Sequence, residues 1–309
     1  MKKAFLTGVT GFLGLHLART LAAEGWEVSS VCRDLSDTSG VTCCSRIDRI
    51  EMLDPSAYGE AIRGADAVFH LAGATSARSR EAFDRANAAV TAAVLEARRL
   101  FSPEARFIYV SSLSAGGPAG SGPLTPYGRS KLLAESIVKR GTGWVVVQPP
   151  AVFGPGDDAM APLFRNAAKG LFPSPWGRGG TPLVYGPDLA GFLALAAVKP
   201  SLEGMVFEPS YGRAFTWEDI RALLQQAAGR RVTRVALPPP LVLAAGWISG
   251  IMGGMAGRSQ VFDLHKAREM VAKGWNPSDP KVAELTGWSP PTPPDEAFSK
   301  TMEWVRQRL

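Results

Sequence analysis

The sequence predicts an α/β protein, a doubly wound parallel sheet with a smaller C-terminal region behind it. Three observations carry this expectation. Across residues 3–148, short apolar runs alternate with helical stretches, the pattern of parallel strands covered on both faces. A glycine cluster at residues 8–14 stands between the first apolar run and the first helix. After Gln148 proline becomes dense and the alternation stops.

Lys3 to Thr7 reads as the first strand. Phe12 to Ala23 follows with Leu13, Leu17 and Leu21 on one helical face, and Gly25 ends it. Glu27 to Cys32 is a second strand and Arg46 to Leu53 a weaker third. Pro55 to Arg63 is a short helix, and Ala67 to Leu71 a buried fourth strand. Glu81 to Leu100 is a long Ala-rich helix, and Phe107 to Ser111 a fifth strand. Pro126 to Lys139 is a helix with Thr125 as N-cap and Pro126 in its first turn. Trp144 to Gln148 is the sixth strand. Right-handed crossovers make such a sheet doubly wound. Residues 1–150 thus form the sheet domain and 151–309 mainly a substrate-binding region, with 185–198 returning to the sheet as a helix.

The 309 residues are 46% hydrophobic and 20% charged, enough for a large core. The net charge of +6 includes no run of five basic residues, which disfavours nucleic acid as a partner; an anionic ligand suffices to explain it. Cys32, Cys43 and Cys44 fit neither a disulfide framework nor a zinc site, so a reducing, cytoplasmic setting is expected. Behind Met1-Lys2-Lys3 the apolar run is broken by glycines, so it reads as a strand and not a signal peptide. Leu237 to Met255 is apolar but interrupted by Pro238 to Pro240 and four glycines. No spanning helix is expected there. The stretch 241–255 reads as a partly exposed helix that packs on a partner or substrate, with shallow contact at a membrane surface as the alternative.

The glycine loop runs Thr7-Gly8-Val9-Thr10-Gly11-Phe12-Leu13-Gly14. Gly8 can take a turn conformation closed to other residues. Gly11 lets the backbone approach a pyrophosphate, Gly14 lets helix and strand approach, and the phosphates meet free N–H groups at the positive end of the helix. The spacing is GxxGxxG and not the GxGxxG of the usual fingerprint. Where the second strand ends, Cys32 is neutral and Arg33 follows. A guanidinium there suits the 2′-phosphate of NADP; Asp34 keeps NAD open.

Tyr127-Gly128-Arg129-Ser130-Lys131 places a phenol and an ammonium at i and i+4, on one helix face. A free Tyr has a pKa of about 10, and a nearby ammonium lowers it. Tyr127 is therefore expected to become a proton donor or acceptor beside a hydride-transfer centre. Ser111 and Ser112 close the fifth strand at the carboxyl edge, where ligands bind in such sheets; a hydroxyl there can hold a substrate oxygen against Tyr127.

Together these residues resemble the extended short-chain dehydrogenase/reductase family, over nearly the whole chain. TGVTGFLG is similar to its glycine motif, HLAG at 70–73 to its fourth-strand motif, VSS at 110–112 to its serine motif and YGRSK to its catalytic helix. QPPAVFGPGD at 148–157 resembles RPxxVYGPGD, with Gln148 in place of the usual Arg. YGPDLA at 185–190 resembles VxDLA, and Trp288-Ser289-Pro290 resembles the end of GWxP. The resemblance implies an NAD(P)-binding Rossmann fold with Ser112, Tyr127 and Lys131 as catalytic triad. It further implies cofactor contacts from Gly8, Thr10, Gly11, Phe12, Leu13, Gly14, Arg33, Leu71, Ala72, Gly73, Asn87 and Pro150, and from Tyr127 and Lys131 themselves. Glu51-Met52 stand where the family often has Asp and an aliphatic residue near adenine, so Met52 joins that set while the change leaves the adenine contact open.

Leu113-Ser114 follow Ser112 where the dehydratase branch has Asp-Glu, which disfavours dehydration. Residues 181–184 lack the Arg that many sugar-nucleotide enzymes use for the diphosphate; Arg178 and Arg213 could substitute, although ordinary surface charge explains them. VSSVCRD resembles the NADP-using dihydroflavonol-reductase-like and 3β-hydroxysteroid-dehydrogenase-like branch. The leading expectation is an NADP-dependent carbonyl/alcohol oxidoreductase on a small, fairly apolar substrate. A nucleotide-sugar 4-epimerase with tightly bound NAD and a non-catalytic nucleotide-binding regulator are the alternatives. His16, His70 and His265 make no metal constellation; His16 reads as a helix-surface residue and His70 as strand-end packing. Trp176, Trp247 and Trp275 read as core or interface residues. A homodimer is compatible with the sequence.

Overall fold

The computed structural model describes residues 1–177, 179–255, 262–275 and 280–308, with side chains in the 239–255 helix described to residue 251. Its centre is a seven-stranded sheet of β1 (Lys3–Thr7), β2 (Glu27–Cys32), β3 (Arg46–Arg49), β4 (Ala67–His70), β5 (Arg106–Val110), β6 (Trp144–Val147) and β10 (Met205–Phe207). Every neighbouring pair is parallel, in the order β10-β6-β5-β4-β1-β2-β3. This is the Rossmann order with a seventh strand added beyond β6. The order reverses between β1 and β4, and a ligand crevice opens there at the carboxyl ends of the strands.

Two apolar layers cover the sheet. On one face α1 (Phe12–Ala23) packs with the later helix Gly186–Val198 over Leu6, Phe69, Ile108 and Val145. On the other, α2 (Val90–Phe101) and α3 (Pro126–Val138) cover Phe5, Val68, Phe107 and Val146. Continuous burial along β4, β5 and β6 explains their unbroken apolar runs.

Several expected boundaries move. The third strand stops at Arg49, because Asp54 caps the next turn by accepting from the Ser56 N–H at 2.9 Å. The expected helix at 55–63 is a 3₁₀ turn (Pro55–Tyr58) followed by one α turn (Gly59–Ile62). The expected helix at 81–100 begins at Arg80, capped by Ser79, and contains a π-helical segment, Asp84–Ala89, before α2. Such segments re-aim the side chains they carry; here Asn87 is one of them.

Beyond β6 the chain forms a second layered unit. β7 (Ala151–Phe153), β9 (Gly180–Tyr185) and β11 (Ala214–Thr216) make one small sheet, and β8 (Leu171–Pro175) pairs with β12 (Thr233–Leu237) in another. Helices α4 (Ala161–Ala168), α6 (Trp217–Ala228) and α9 (Pro294–Arg306) enclose a third core, in which Phe153, Phe164 and Phe298 lie with ring centres 4.8–6.5 Å apart. Between them in sequence lie α5 (Gly186–Val198), α7 (Pro239–Met255) and α8 (Leu264–Val271). Trp288 stacks edge-on against Phe192 of α5 at 5.1 Å.

A buried carboxylate fixes α3 on the sheet. Glu135 Oε1 accepts from Ser111 Oγ at 2.5 Å and from Gln148 Nε2 at 2.6 Å, at the ends of β5 and β6, while Oε2 meets Lys139 at 2.7 Å. Ser111 is therefore committed to the scaffold, which corrects its reading as a candidate substrate contact and leaves that role to Ser112. Gln148 keeps a donor where the resembled motif has Arg, with the cation supplied by Lys139. Removing the carboxylate strands two buried polar groups. Glu135→Ala should lower the unfolding free energy by about 2–3 kcal/mol, read as a lower urea midpoint at unchanged m-value, while Glu135→Gln loses less.

Candidate active site

The glycine loop sits at the topological switch. Gly8 has φ +81°, and a Cβ there would lie 2.8 Å from the Ala72 backbone nitrogen; no other residue fits both conditions. A Cβ on Gly14 would lie 2.0 Å from the Gly8 carbonyl oxygen. Gly14 thus lets the helix close on its own loop, not on the strand as expected. Thr10 and Gly11 are exposed, and no side chain caps the amino end of α1. Free N–H groups and the helix dipole there suit an anion.

Phe12 and Leu13 turn away from that opening. Leu13 packs into the core. Phe12 lies against Gly154, Gly156 and Gly186, where a Cβ at Gly186 would meet its ring at 2.4 Å. It stacks edge-on to His16 at 5.2 Å, and His16 Nε2 lies 2.8 Å from the Pro155 carbonyl oxygen. His16 is half-buried, and burial lowers its pKa most, ahead of the opposing bond to Pro155. Its reading as a helix-surface residue is corrected: it joins α1 to the 154–156 loop. The only signal was its i+4 distance from Phe12.

Across the crevice, β4 leads into Leu71, Ala72 and Gly73. A Cβ on Gly73 would lie 2.6 Å from Asn87 Oδ1 and 3.3 Å from Lys131 Nζ. Glycine here brings backbone, amide and ammonium together. Asn87 Oδ1 accepts from the Ala74 N–H at 2.8 Å, and its Nδ2 donates to the Ala74 carbonyl at 3.1 Å and to Ser130 Oγ at 2.8 Å. Ser130 in turn donates to the Tyr127 carbonyl at 2.7 Å. Asn87 therefore ties the loop after β4 to the helix carrying Tyr127. Behind it, His70 lies 2.7 Å from Thr7 Oγ1 and 2.9 Å from Thr91 Oγ1. Burial first, and the Lys131 ammonium second, hold His70 down at about 3, so its ring is neutral. Thr91 donates to the Asn87 carbonyl, which leaves Nε2 of His70 as donor and Nδ1 as acceptor. His70 is thus a polar link inside the core as well as a packed residue.

Thr125 caps α3 as expected, accepting from the Gly128 N–H at 3.1 Å. Its hydroxyl donates to Glu269 Oε1 of α8 at 3.0 Å. Glu269 is buried and carried no signal in the sequence. Ser112 caps the short turn Leu113–Gly116, accepting from the Ser114 N–H at 3.2 Å, and its hydroxyl lies near the Tyr127 phenol. Lys131 is buried, donates to the Val110 carbonyl at 2.8 Å and lies 5.1 Å from the Tyr109 ring centre. Ser112, Tyr127 and Lys131 are thus gathered at the end of β5, with Gly73 and Asn87 beside them.

The electrostatics differ from expectation in one respect. The Tyr127 pKa is not lowered: burial pushes it up to about 12, the nearby Ser112 hydroxyl lowers it and the Glu269 carboxylate raises it further. Burial also brings Lys131 down to about 8, against the favourable field of Glu135. The ammonium is bonded to a carbonyl and faces a ring, so the phenol gains little from it here.

Other expected contacts lie farther out. Arg33 is exposed just beyond β2, and Arg49 at the end of β3 donates to the Arg33 and Asp34 carbonyls. Arg49 was missed, although the register pairs it with Cys32. Met52 is half-buried, its carbonyl accepting from Tyr58 at 2.7 Å; Pro150 is half-buried after β6. Neither is brought against the triad by a recorded contact. Arg213 pairs with Asp219 at 3.2 Å and stacks on Phe215, so it is engaged elsewhere. Arg178 lies outside the described residues.

A model of the NAD dependent epimerase/dehydratase family matches residues 4–206. The chain belongs to this family. It is an NAD(P)-dependent oxidoreductase of the short-chain dehydrogenase/reductase type. Ceramide reductase of Caulobacter vibrioides is 31% identical over 97% of this chain and 93% of that protein. Sterol demethylase protein B of Methylococcus capsulatus is 26% identical over 98% of each chain. A UDP-glucose 4-epimerase from Thermotoga maritima, solved with UDP-glucose, shares the fold with a TM-score of 0.78 at 20% identity, over 99% of each chain. The residues present fit a dinucleotide: Gly8 at positive φ packs against the Ala72 backbone, Gly73 against Asn87 and Lys131, and between them the amino end of α1 has no side-chain cap and leaves N–H groups open to an anion.

Gly73→Ala should therefore displace Asn87 and Lys131 and weaken dinucleotide binding at least about tenfold, measured by fluorescence titration, with the far-ultraviolet spectrum retained. A second outcome concerns Asp157, buried at the foot of the 154–156 loop. Burial raises its pKa to about 6, against bonds from the Ala159 and Met160 N–H groups and the charge of Lys266. A carboxyl raised on folding stabilises when protonated, and that contribution is lost as pH rises through 6. Asp157→Asn should raise Tm at pH 7.5 and leave it unchanged at pH 4.

Proposed function

We propose that this chain interconverts a carbonyl and an alcohol on a fairly apolar, lipid-like substrate, with NADP as cofactor and Tyr127 as acid/base. The observation that carries the reading is the gathering of Ser112 and Tyr127 beside buried Lys131 at the carboxyl edge of β5. When bound, the dinucleotide supplies or accepts the hydride. Ser112 holds the substrate oxygen, and Tyr127 gives that oxygen a proton on reduction or removes one on oxidation. A phenol of pKa about 12 is fully protonated at pH 7, which favours the reducing direction. Lys131, at about 8, is mostly ammonium at pH 7; turned toward Tyr127 it stabilises the phenolate left after proton transfer.

Two guanidinium groups at the ends of β2 and β3, Arg33 and Arg49, support NADP over NAD. The names of the relatives, ceramide reductase and sterol demethylase protein B, support a lipid substrate. Engagement of Arg213 by Asp219 weakens the epimerase alternative, which needs a cation for a sugar diphosphate. Three free cysteines support a cytoplasmic setting.

Turnover of NADPH and NADH against long-chain ketones, sterol ketones and UDP-sugars tests the reading. NADPH oxidation with an apolar ketone is expected, without net change of UDP-sugars. Tyr127→Phe should lower kcat by about 10²–10⁴-fold with NADPH affinity retained. Arg33→Ala combined with Arg49→Ala should weaken NADPH at least about tenfold and leave NADH nearly unchanged; equal losses for the two cofactors would refute the NADP assignment.

A further inference from the structure

Among the described helices of eight residues or more, α7 alone lacks a charged residue, and the face it leaves open is apolar. Leu241, Trp247, Ile248 and Ile251 are 43–58% exposed, and Trp176 beside the start of the helix is 67% exposed. The Trp176 backbone N–H donates to the Leu237 carbonyl at 2.7 Å, which holds that residue at the same end. Leu241, Ala244, Ala245, Ile248 and Ile251 fall at i, i+3, i+4, i+7 and i+10, one continuous stripe. The opposite side is anchored: Gly246 is buried, and a Cβ there would meet the Asp263 carbonyl oxygen at 2.6 Å. Neither Trp176 nor Trp247 is a core residue, which excludes one of the two roles expected for them.

Charge is concentrated on the same part of the chain. Residues 230–275 hold seven Lys/Arg and two Asp/Glu, which is +5 of the chain's total +6. Both acids are occupied: Asp263 caps α8 through the Lys266 N–H, and Glu269 is buried against Thr125 and Lys266. Among the described residues, Arg231, Arg268 and Lys273 are exposed and make no ion pair. Arg268 lies on α8, which packs along α7, and Lys273 follows that helix by two residues; Arg231 stands before the opposite end of β12.

We infer that α7 is a monotopic docking helix that lays Leu241, Trp247, Ile248 and Ile251 into the surface of an anionic phospholipid bilayer. An exposed apolar stripe bordered by unpaired cations is the arrangement that partitions to such an interface. No described helix is long and apolar enough to cross a membrane, so the contact is with one leaflet. A second copy of this chain is the poorer occupant, because a two-fold contact through this face sets the same basic excess against itself. The position suits a lipid substrate: α8 joins α7 directly to Thr125 at the head of the helix carrying Tyr127.

Flotation of the full chain with vesicles of phosphatidylcholine, alone or mixed with phosphatidylglycerol, tests the proposal without substrate, and so independently of the proposed reaction. Recruitment to the mixed vesicles at least about tenfold above phosphatidylcholine alone, reversed by high salt, is expected. Leu241→Glu combined with Ile248→Glu should abolish recruitment, and Arg268→Glu combined with Lys273→Glu should reduce it, both with Tm and NADPH affinity retained. Absence of wild-type recruitment to anionic vesicles overturns the proposal. So does recruitment that survives the double glutamate change, or a solution dimer that this change dissociates in a protein that never floats.

Discussion

The chemistry of this protein depends on where one helix is held. The helix from Pro126 to Val138 carries both Tyr127 and Lys131, and two buried carboxylates fix it. At its amino end Glu269 receives the Thr125 hydroxyl, while the same hydroxyl oxygen caps the helix. One turn beyond Lys131, Glu135 ties the helix to the ends of β5 and β6 through Ser111 and Gln148. Buried charge is costly unless bonded and paired, and both carboxylates are bonded and paired, with Lys266 and Lys139 respectively. A shift of this helix would break contacts in two separate regions of the chain.

That rigidity sets the electrostatics. A dry environment keeps the phenol protonated and weakens the hold of Lys131 on its proton. The two groups start with their protons on opposite terms: tightly held on the phenol, loosely on the amine. Polar links from Thr7 through His70, Thr91 and Asn87 run along the crevice floor, and the glycine loop and the loop after β4 are thereby connected to the helix carrying Tyr127.

Much of this was legible in the sequence. Local signals marked the elements with a strong period or cap: β1 with its glycines, Thr125 before Pro126, and the apolar runs of β4 to β6. YxxxK and the strand-end serines located side chains that the fold gathers at the end of β5, because an i,i+4 pair and a strand terminus are geometric statements in themselves. What remained hidden was pairing at long range. Glu269 lies 144 positions from Thr125 and His16 lies 139 from Pro155, distances at which a single chain offers no periodicity to read. The π-helical segment at 84–89 escaped for a related reason, since its residues have ordinary helix preferences and only the Asn87 contacts call for the extra turn. The sign of the Tyr127 shift also failed. Spacing predicts proximity to a cation; it does not predict that the cation turns toward a carbonyl.

The last pieces of the central sheet come late in the chain. Helix Gly186–Val198 covers α1, and Met205–Phe207 closes the edge beside β6. A nascent chain released only as far as residue 150 would leave the apolar side of α1 bare and a strand edge open to pairing with neighbours. Maturation of the nucleotide-binding half must therefore wait for some fifty-seven further residues to emerge, counted to Phe207, so β7, β8 and β9 are made while their scaffold is still incomplete. Sequence change within 186–207 acts first on the yield of native protein, far upstream of any turnover.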